Sequence, residues 1–188
     1  LIQRNISQST IKNFKIGYSN NVSLTLYDYL KGKDFSDKDL SETNLFKLNN
    51  QNVYRDFFYK RIMFPIKNIN SQIVGFGARA TNDTNPKYIN SSESYFFKKG
   101  KILYNLDNAK NVARKKQNLL ICEGFLDVIS LSNKGIYSVV SPLGTALTLD
   151  HLMLSWKTCR IPTIMFDGDS AGKKASIKTA LLALKNLK

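Results

Sequence analysis

Four carboxylates lie at the ends of two apolar runs in the second half of the chain. Glu123 ends one run, and Asp127 follows it by one helical turn. Asp167 and Asp169 end a later run and are separated by Gly168. Carboxylates that share one crevice repel one another and raise each other's pKa unless a cation lies between them. Mg²⁺ or Mn²⁺ is the cation that this set of oxygen ligands predicts.

Each acidic segment also has an ordinary structural interpretation. Asp-Gly is a common turn, and Asp169 could be the N-cap of a helix that begins at Ser170. The occurrence of a second acidic strand end at Glu123 favours metal binding over a turn alone. Gly124 and Gly168 suit such a site because, without a Cβ, they allow a sharp turn and the approach of a phosphate or metal.

The elements that must position these acids alternate regularly from residue 117 onward. Three short apolar runs, each followed by a helical pattern, predict parallel strands with helices on both faces of the sheet. Gly135 is expected to end the first of these helices, and Thr148 to cap the second. Because the carboxyl ends of parallel strands meet at one edge, Glu123, Asp167 and Asp169 are expected to share that edge.

The first part of the chain has a different pattern. A helix is predicted near residues 9–18, with Ser9 or Thr10 as its cap, and a β-hairpin over 61–80. A short strand at 86–90 and a basic helix at 106–116 follow. The fold class is therefore α/β, with an α+β N-terminal subdomain (1–116) followed by a parallel α/β sheet (117–188).

The chain is strongly basic, with a formal net charge of +14 and a pI near 9.8. A basic surface attracts polyanions, and nucleic acid is the leading candidate partner, although a lysine-rich, AT-biased genome would also produce a basic chain. No apolar run is long enough to span a membrane, and no signal peptide is visible, which favours a cytoplasmic location.

The cysteine and histidine content argues against a zinc centre. Cys122 and Cys159 both lie in or beside apolar stretches and are expected to be free, buried thiols. With His151 as the single histidine, a structural zinc site is not expected in this chain.

Several segments, in order, resemble a known family. The segments "LLICEGFLDVISL" and "IMFDGDSAGKKA" resemble the two acidic signatures of the Toprim domain. The stretch "SPLGTALTLDHLMLSW" between them is similar to bacterial DnaG-type DNA primases, as are "RIMFPIKNINSQIVGFGARA", "NPKYINSSES" and "FFKKGKILYNLDNAK". The resemblance covers essentially the whole chain and is weakest near residues 30–52.

This resemblance implies synthesis of short RNA primers from ribonucleoside triphosphates on single-stranded DNA. It implies catalytic roles for Glu123, Asp167 and Asp169, which with Asp127 would hold Mg²⁺ or Mn²⁺. It also implies a basic, nucleotide- and DNA-binding wall made of Arg61, Arg79, Lys87, Tyr88, Asn90 and Lys99. For each lysine, a solvated surface charge is the alternative. His151, Met153, Leu154 and Trp156 are expected to be structural.

The family's intact proteins carry further parts that we expect to lie outside this chain. These are a zinc-binding domain, a third acidic segment downstream of Lys188, and a C-terminal domain that binds the replicative helicase. Zinc is expected only in that separate domain. Two alternatives remain: another Toprim enzyme, such as a topoisomerase or nuclease, or a non-catalytic module that binds single-stranded DNA. Topoisomerase strand passage would need a nucleophilic tyrosine on another domain.

Overall fold

A computed structural model describes residues 5–20, 25–82 and 85–186. The first part of the chain is built from three short helices and six strands: α1 (Gln8–Asn13), β1 (Gly17–Ser19), α2 (Leu26–Lys31), α3 (Asp37–Glu42), β2 (Phe46–Leu48), β3 (Tyr54–Asp56), β4 (Arg61–Lys67), β5 (Ile73–Ala80) and β6 (Tyr88–Asn90). The cap predicted for α1 was placed wrongly. The Ser7 hydroxyl accepts the backbone N–H of Thr10 at 3.2 Å, so Ser7 is the N-cap.

The predicted hairpin is the centre of a four-stranded antiparallel sheet in the order β1-β4-β5-β6. Its turn is held by one amide, because Asn68 Oδ1 accepts the backbone N–H groups of Asn70 and Gln72 at 3.0 and 3.1 Å. Strand β6 pairs with the far end of β5, where Tyr88 lies opposite Arg79. The sheet therefore places Arg79 and Tyr88 next to each other at one end.

The second part alternates helices and strands, as the sequence predicts. After α4 (Leu106–Lys116), which ends the first part, its elements are β7 (Leu120–Ile121), α5 (Phe125–Asn133), β8 (Val139–Val140), α6 (Leu149–Trp156), β9 (Thr163–Ile164) and α7 (Ser170–Asn186). The three strands form a parallel sheet in the order β8-β7-β9. Gly135, with φ of +87°, follows the end of α5, and the Thr148 hydroxyl caps α6. The α/β fold class is confirmed.

Helices cover both faces of this sheet because the strand residues alternate in direction. Ile121 of β7 packs into a core with the buried residues of α4 and α6, whereas Cys122, directly after β7, packs on the opposite face with α5. The core around Cys122 also contains Phe64 and Phe97 from the first part of the chain. One core thus joins the hairpin to the parallel sheet, and the proposed division near residue 116 lies at the link between α4 and β7.

A buried ion pair joins the antiparallel sheet to helix α4. Lys67 Nζ, at the end of β4, lies 3.3 Å from Asp107 Oδ2 in the first turn of α4. The Asp107 side chain is 2% exposed, so each charge depends on the other for compensation.

Some apolar side chains of the second part face outward. Met153, expected in the core, is 46% exposed, whereas Leu154 and Trp156 do pack against the core. On α7, Ile177, Leu181 and Leu184 are exposed, because only the opposite side of the helix meets the described core. Leu187, the last apolar residue at helical spacing in this segment, lies outside the described residues. No helix in the described ranges has the length and apolar character of a membrane span.

Candidate active site

The two acidic segments meet at the carboxyl edge of the parallel sheet. Glu123 follows β7 and Asp167 follows the neighbouring strand β9. Glu123 Oε1 accepts the backbone N–H of Asp167 at 3.1 Å. A carboxylate accepting a backbone N–H across two strands fixes the turn that carries the second pair of acids. The predicted meeting of Glu123 with the Asp167–Asp169 segment is therefore present.

Close packing at this turn depends on Gly172, two residues into helix α7. A Cβ on Gly172 would lie 2.7 Å from Glu123 Oε1 and would collide with the carbonyl of Asp167. A Cβ on Gly168, by contrast, would meet no atom within 4 Å. The glycine that permits the close approach is therefore Gly172, which the sequence reasoning missed. The available signal was the run of small residues, Ser170 to Gly172, directly after the acids.

The other two carboxylates serve as helix caps. Asp169 Oδ1 accepts the backbone N–H of Gly172 at 2.8 Å, and Asp127 Oδ2 accepts that of Gly124 at 3.0 Å. The alternative reading of Asp169 as an N-cap is thus what the structure shows. Across residues 5–20, 25–82 and 85–186, no three acidic, histidine or cysteine side chains surround a common point as metal ligands. The expected four-carboxylate cluster is not assembled, because these two carboxylates turn toward backbone N–H groups.

The chemistry of the four side chains nevertheless suits a divalent cation. Within the described ranges none of them pairs with a lysine or arginine; the ion pairs found there are Lys31–Asp37 and Lys67–Asp107. Asp127, Asp167 and Asp169 are exposed, and Glu123 is partly exposed. Each capping carboxylate keeps a second oxygen. Exposed, uncompensated carboxylate oxygens are the ligands that Mg²⁺ and Mn²⁺ take.

The basic and aromatic wall is formed by Arg79 of β5, by Tyr88 and Asn90 of β6, and by Lys87 just before β6. The Arg79 guanidinium lies 5.8 Å from the centre of the Tyr88 ring, and its Nε–H donates to the Tyr88 hydroxyl at 3.2 Å. The Tyr88 ring in turn meets the edge of Phe125, with ring centres 5.7 Å apart. Phe125 is two residues after Glu123. This chain of contacts links Arg79 and Tyr88 to the start of helix α5, which follows Glu123.

Asn90 fixes the wall to the sheet edge. Its Nδ2 donates to the carbonyl of Leu143, in the loop after β8, at 3.0 Å. Gly77 makes room for this contact, because a Cβ there would lie 3.0 Å from Asn90 Oδ1 and 3.2 Å from Phe125. Lys87 is exposed just before β6. Asn90 therefore positions β6, and Lys87 and Tyr88 with it, against the parallel sheet.

Comparison with known proteins identifies the family. A family model described as the N-terminal domain of the DNA primase catalytic core matches residues 1–110, and a Toprim domain model matches residues 117–187. A DNA primase of Staphylococcus epidermidis is 40% identical over 180 residues, which cover 95% of this chain. This chain belongs to the DNA primase family.

Solved primase structures share the fold described above. A structure of the zinc-binding and RNA polymerase domains of Aquifex aeolicus primase matches with a TM-score of 0.90 and 37% identity, over 97% of this chain and 45% of that one. A DnaG primase catalytic domain bound to single-stranded DNA matches with a TM-score of 0.86 and 33% identity, over 98% and 59% of the two chains. The present chain spans 30% of the length of the curated primase that it matches.

One residue assigned to the wall of this primase-family chain has a different role. Arg61 is 7% exposed, and its Nη1 donates to the backbone carbonyls of Pro86 and Lys87 at 2.9 and 3.4 Å. A buried guanidinium that donates to backbone carbonyls through Nη1 is committed to the protein interior rather than to a ligand. Its assignment to the binding surface is therefore corrected: Arg61 holds the segment that presents Lys87 and Tyr88.

The single histidine of this primase-family chain is structural, as expected. His151 is fully buried at the start of α6, and its Nε2 lies 2.9 and 3.1 Å from the carbonyls of Lys99 and Ile102. Its Nδ1 accepts the backbone N–H of Thr148 at 3.2 Å. His151 thus fastens the segment around Lys99 to the sheet edge, and Lys99 itself is only partly exposed.

The two cysteines are free and buried, which confirms the expectation for them. Burial raises the pKa of the Cys122 thiol to about 12, with a smaller contribution from the nearby Asp127 carboxylate. A thiol with so high a pKa is not a nucleophile at neutral pH. Cys122 therefore acts as a small apolar side chain in the core, directly before Glu123.

Proposed function

We propose that this chain is part of the catalytic core of a DNA primase, which joins ribonucleotides into short RNA primers on a single-stranded DNA template. The observation that carries the proposal is the contact between Glu123 Oε1 and the Asp167 N–H, which brings the two acidic segments together at one edge of the sheet. Phe125, two residues after Glu123, meets the Tyr88 ring on which Arg79 lies. A site with carboxylates on one side and a basic, aromatic wall on the other suits a triphosphate and a nucleic acid strand. The related proteins are named DNA primases.

The proposed cofactor is Mg²⁺ or Mn²⁺, held by Glu123 and Asp167 together with the second oxygens of Asp169 and Asp127. A divalent cation held there would neutralise phosphate charge and lower the pKa of an attacking hydroxyl. Glu123 also keeps the Asp167 turn in place through its backbone hydrogen bond, so it would both bind and position.

The wall residues have separate proposed roles. Lys87 and Lys99 would bind phosphate groups as mobile point charges, and Arg79 would offer a planar guanidinium already oriented on the Tyr88 ring. Tyr88, 44% exposed, would pack against a base or ribose. Asn90, with its amide committed to Leu143, would act by holding β6 in position.

The proposed partners follow from the same assignment. They are a single-stranded DNA template, ribonucleoside triphosphates and the RNA primer, in the cytoplasm at a replication fork. A replicative helicase would bind through a part of the longer protein that this chain does not contain. Zinc would likewise be bound by a separate domain.

A binding module without catalysis is the second candidate. The observation that favours it is the helix-capping geometry of Asp127 and Asp169, which does not require a metal. Binding of that kind would need the basic wall but not the acids, and it would be indifferent to Mg²⁺. The two candidates therefore make opposite predictions for Glu123.

Primer synthesis in the longer protein separates the candidates. Glu123→Gln and Asp167→Asn are each expected to reduce incorporation of labelled ribonucleotides on single-stranded DNA by at least about 10²-fold, because each removes one carboxylate charge from the site. Affinity for single-stranded DNA in the absence of metal should stay within about twofold of the parent. Normal incorporation by both variants would refute the assignment.

A further inference from the structure

Two neighbouring aromatic side chains stand in solvent on the loop between β6 and α4. Tyr95 is 90% exposed and Phe96 is 75% exposed. Their rings meet edge to face, with centres 5.1 Å apart. The next residue, Phe97, is fully buried, so the chain has put one aromatic residue of this run into the core and two outside it. Large exposed aromatic surface is a mark of contact with a partner.

The turn that displays the pair is well supported. Ser94 Oγ accepts the backbone N–H of Phe97 at 3.1 Å, and the Ser94 N–H donates to the Phe97 carbonyl at 3.0 Å. Glu93 Oε1 accepts the backbone N–H of Lys99 at 2.9 Å. Phe97 packs closely over Gly75, where a Cβ would lie 3.3 Å from its ring. The pair therefore stands on a fixed loop, which lowers the conformational cost of binding.

Both ends of this loop are attached to the edge that carries the candidate site. At the first end, Asn90 bonds the carbonyl of Leu143. At the other end, the Thr148 hydroxyl donates to the carbonyl of Gly100 at 2.6 Å, and His151 bonds that of Lys99. The loop from residue 90 to 101 thus leaves the carboxyl edge of the parallel sheet and returns to it, with Tyr95 and Phe96 at its tip.

The charge around the pair selects the kind of partner. Lys98 and Lys101 are exposed, and Lys99 is partly exposed, so three cations follow the two rings within six residues. The acid in this stretch, Glu93, has a carboxylate oxygen committed to a backbone N–H. Aromatic faces next to lysines match a single strand, whose bases stack on rings while its phosphates meet cations.

We propose that Tyr95 and Phe96 form a stacking platform for unpaired bases of a nucleic acid strand that runs from the candidate site along the 90–101 loop. The proposal rests on the function proposed above and adds contacts to it. Stacking on these rings is tolerant of sequence, because every base has a flat face. Lys98 and Lys101 would bind the phosphates of the same strand.

The test measures the affinity of the chain for a fluorescein-labelled oligothymidine of about 16 nucleotides, by fluorescence anisotropy over a series of salt concentrations. A second oligonucleotide carries the same backbone with abasic sites in place of bases. The variants are the double change Tyr95→Ala/Phe96→Ala and the single change Lys98→Ala. Tyr137→Ala is the matched control, because Tyr137 is 59% exposed and precedes β8, at the opposite edge of the sheet.

The aromatic double variant is expected to bind oligothymidine about 5- to 30-fold more weakly than the parent, with an unchanged slope of log K against log salt. On the abasic oligonucleotide it should match the parent. Lys98→Ala should reduce the salt slope by about 0.7, and Tyr137→Ala should have no effect.

Two results would overturn the platform: an unchanged affinity for oligothymidine in the double variant, or an equal loss on the abasic oligonucleotide. An unchanged affinity would indicate that the exposed rings contact a protein partner instead. These results leave the proposed function standing. Failure of the parent chain to bind oligothymidine at any salt concentration would overturn both.

Discussion

At the scale of single residues, the hydrogen bonds of His151 fix its protonation state. Nε2 faces two carbonyl oxygens and must carry a proton, whereas Nδ1 faces the N–H of Thr148 and must not. Burial lowers the pKa of His151 below its ordinary value of 6.5, although the two carbonyls act in the opposite direction. The neutral imidazole is therefore the form that the fold stabilises.

Acidification should destabilise the chain through this residue. A pKa lowered by folding means that the unfolded chain binds the proton more readily, so this contribution to stability is complete above pH 6.5 and is lost as the pH falls. The free energy of unfolding by urea should decrease between about pH 6.5 and 5 by at most about 1.4 kcal/mol per pH unit.

His151→Gln provides the control for this titration. The variant should be less stable than the parent at pH 7.5, but its stability should change less over the same pH window. Hydrogen bonds lower the pKa of Asp37 and of Asp39 below the ordinary 3.8, so these two carboxylates titrate below this window. Identical pH profiles for the parent and the variant would contradict the assignment.

Residue chemistry also shows where sequence reasoning reaches its limit. The apolar runs place Glu123 and Asp167 at one edge, and the structure brings them together. The sequence pattern does not show whether a carboxylate accepts a backbone N–H. It therefore left capping by Asp169 as an alternative and did not predict the capping contact of Asp127. Arg61 shows the same limit, because a basic residue at the start of a strand can point into the protein as well as out of it.

At the scale of elements, the start of α7 determines the shape of the acidic turn. Gly172 lies against the Asp167 backbone and Glu123 Oε1, and no larger residue fits there without a backbone shift. Thr179, further along α7, is buried, whereas the outer side of the helix is exposed. The helix thus packs along one side, from Gly172 next to the acids to Leu182 and Ala183 near its other end.

Gly172→Ala should separate the turn from Glu123. Overpacking against backbone atoms is expected to cost about 1–3 kcal/mol of unfolding free energy, measured by urea denaturation. Affinity for Mn²⁺ should fall in parallel, since the Asp167 segment must move. Gly168→Ala is the matched control in the same motif and should change stability by less than about 0.5 kcal/mol, because its Cβ would point into open space. Equal stability of the two variants would contradict this role for Gly172.

The elements themselves were largely predictable, and their ends were less so. Alternation of apolar runs and helical patterns indicates the parallel sheet, and Gly135 and Thr148 end and cap the helices as expected. The strands are short, with two residues each for β7, β8 and β9. The error at the start of α1 arose because Ser7, Ser9 and Thr10 are all good caps, and only the chain geometry selects one.

At the scale of the whole molecule, the basic wall and the acids of the candidate site are carried by different elements. The chain carries a net charge of +14, yet the acids of the candidate site have no cationic side-chain partner in the described part of the structure. The shared core of Phe64, Phe97 and Phe125 packs the hairpin against the helix that follows Glu123. Such an arrangement leaves the acids available to a divalent cation.

Binding of Mn²⁺ to the chain, followed by the electron paramagnetic resonance signal of the free ion, tests this account most directly. Glu123→Gln is predicted to weaken Mn²⁺ binding by at least about tenfold, because Glu123 both supplies an oxygen and holds the Asp167 turn. Asp34→Asn, which removes one exposed acid elsewhere, should bind as the parent does. Equal Mn²⁺ affinity in the parent and in Glu123→Gln would contradict the account.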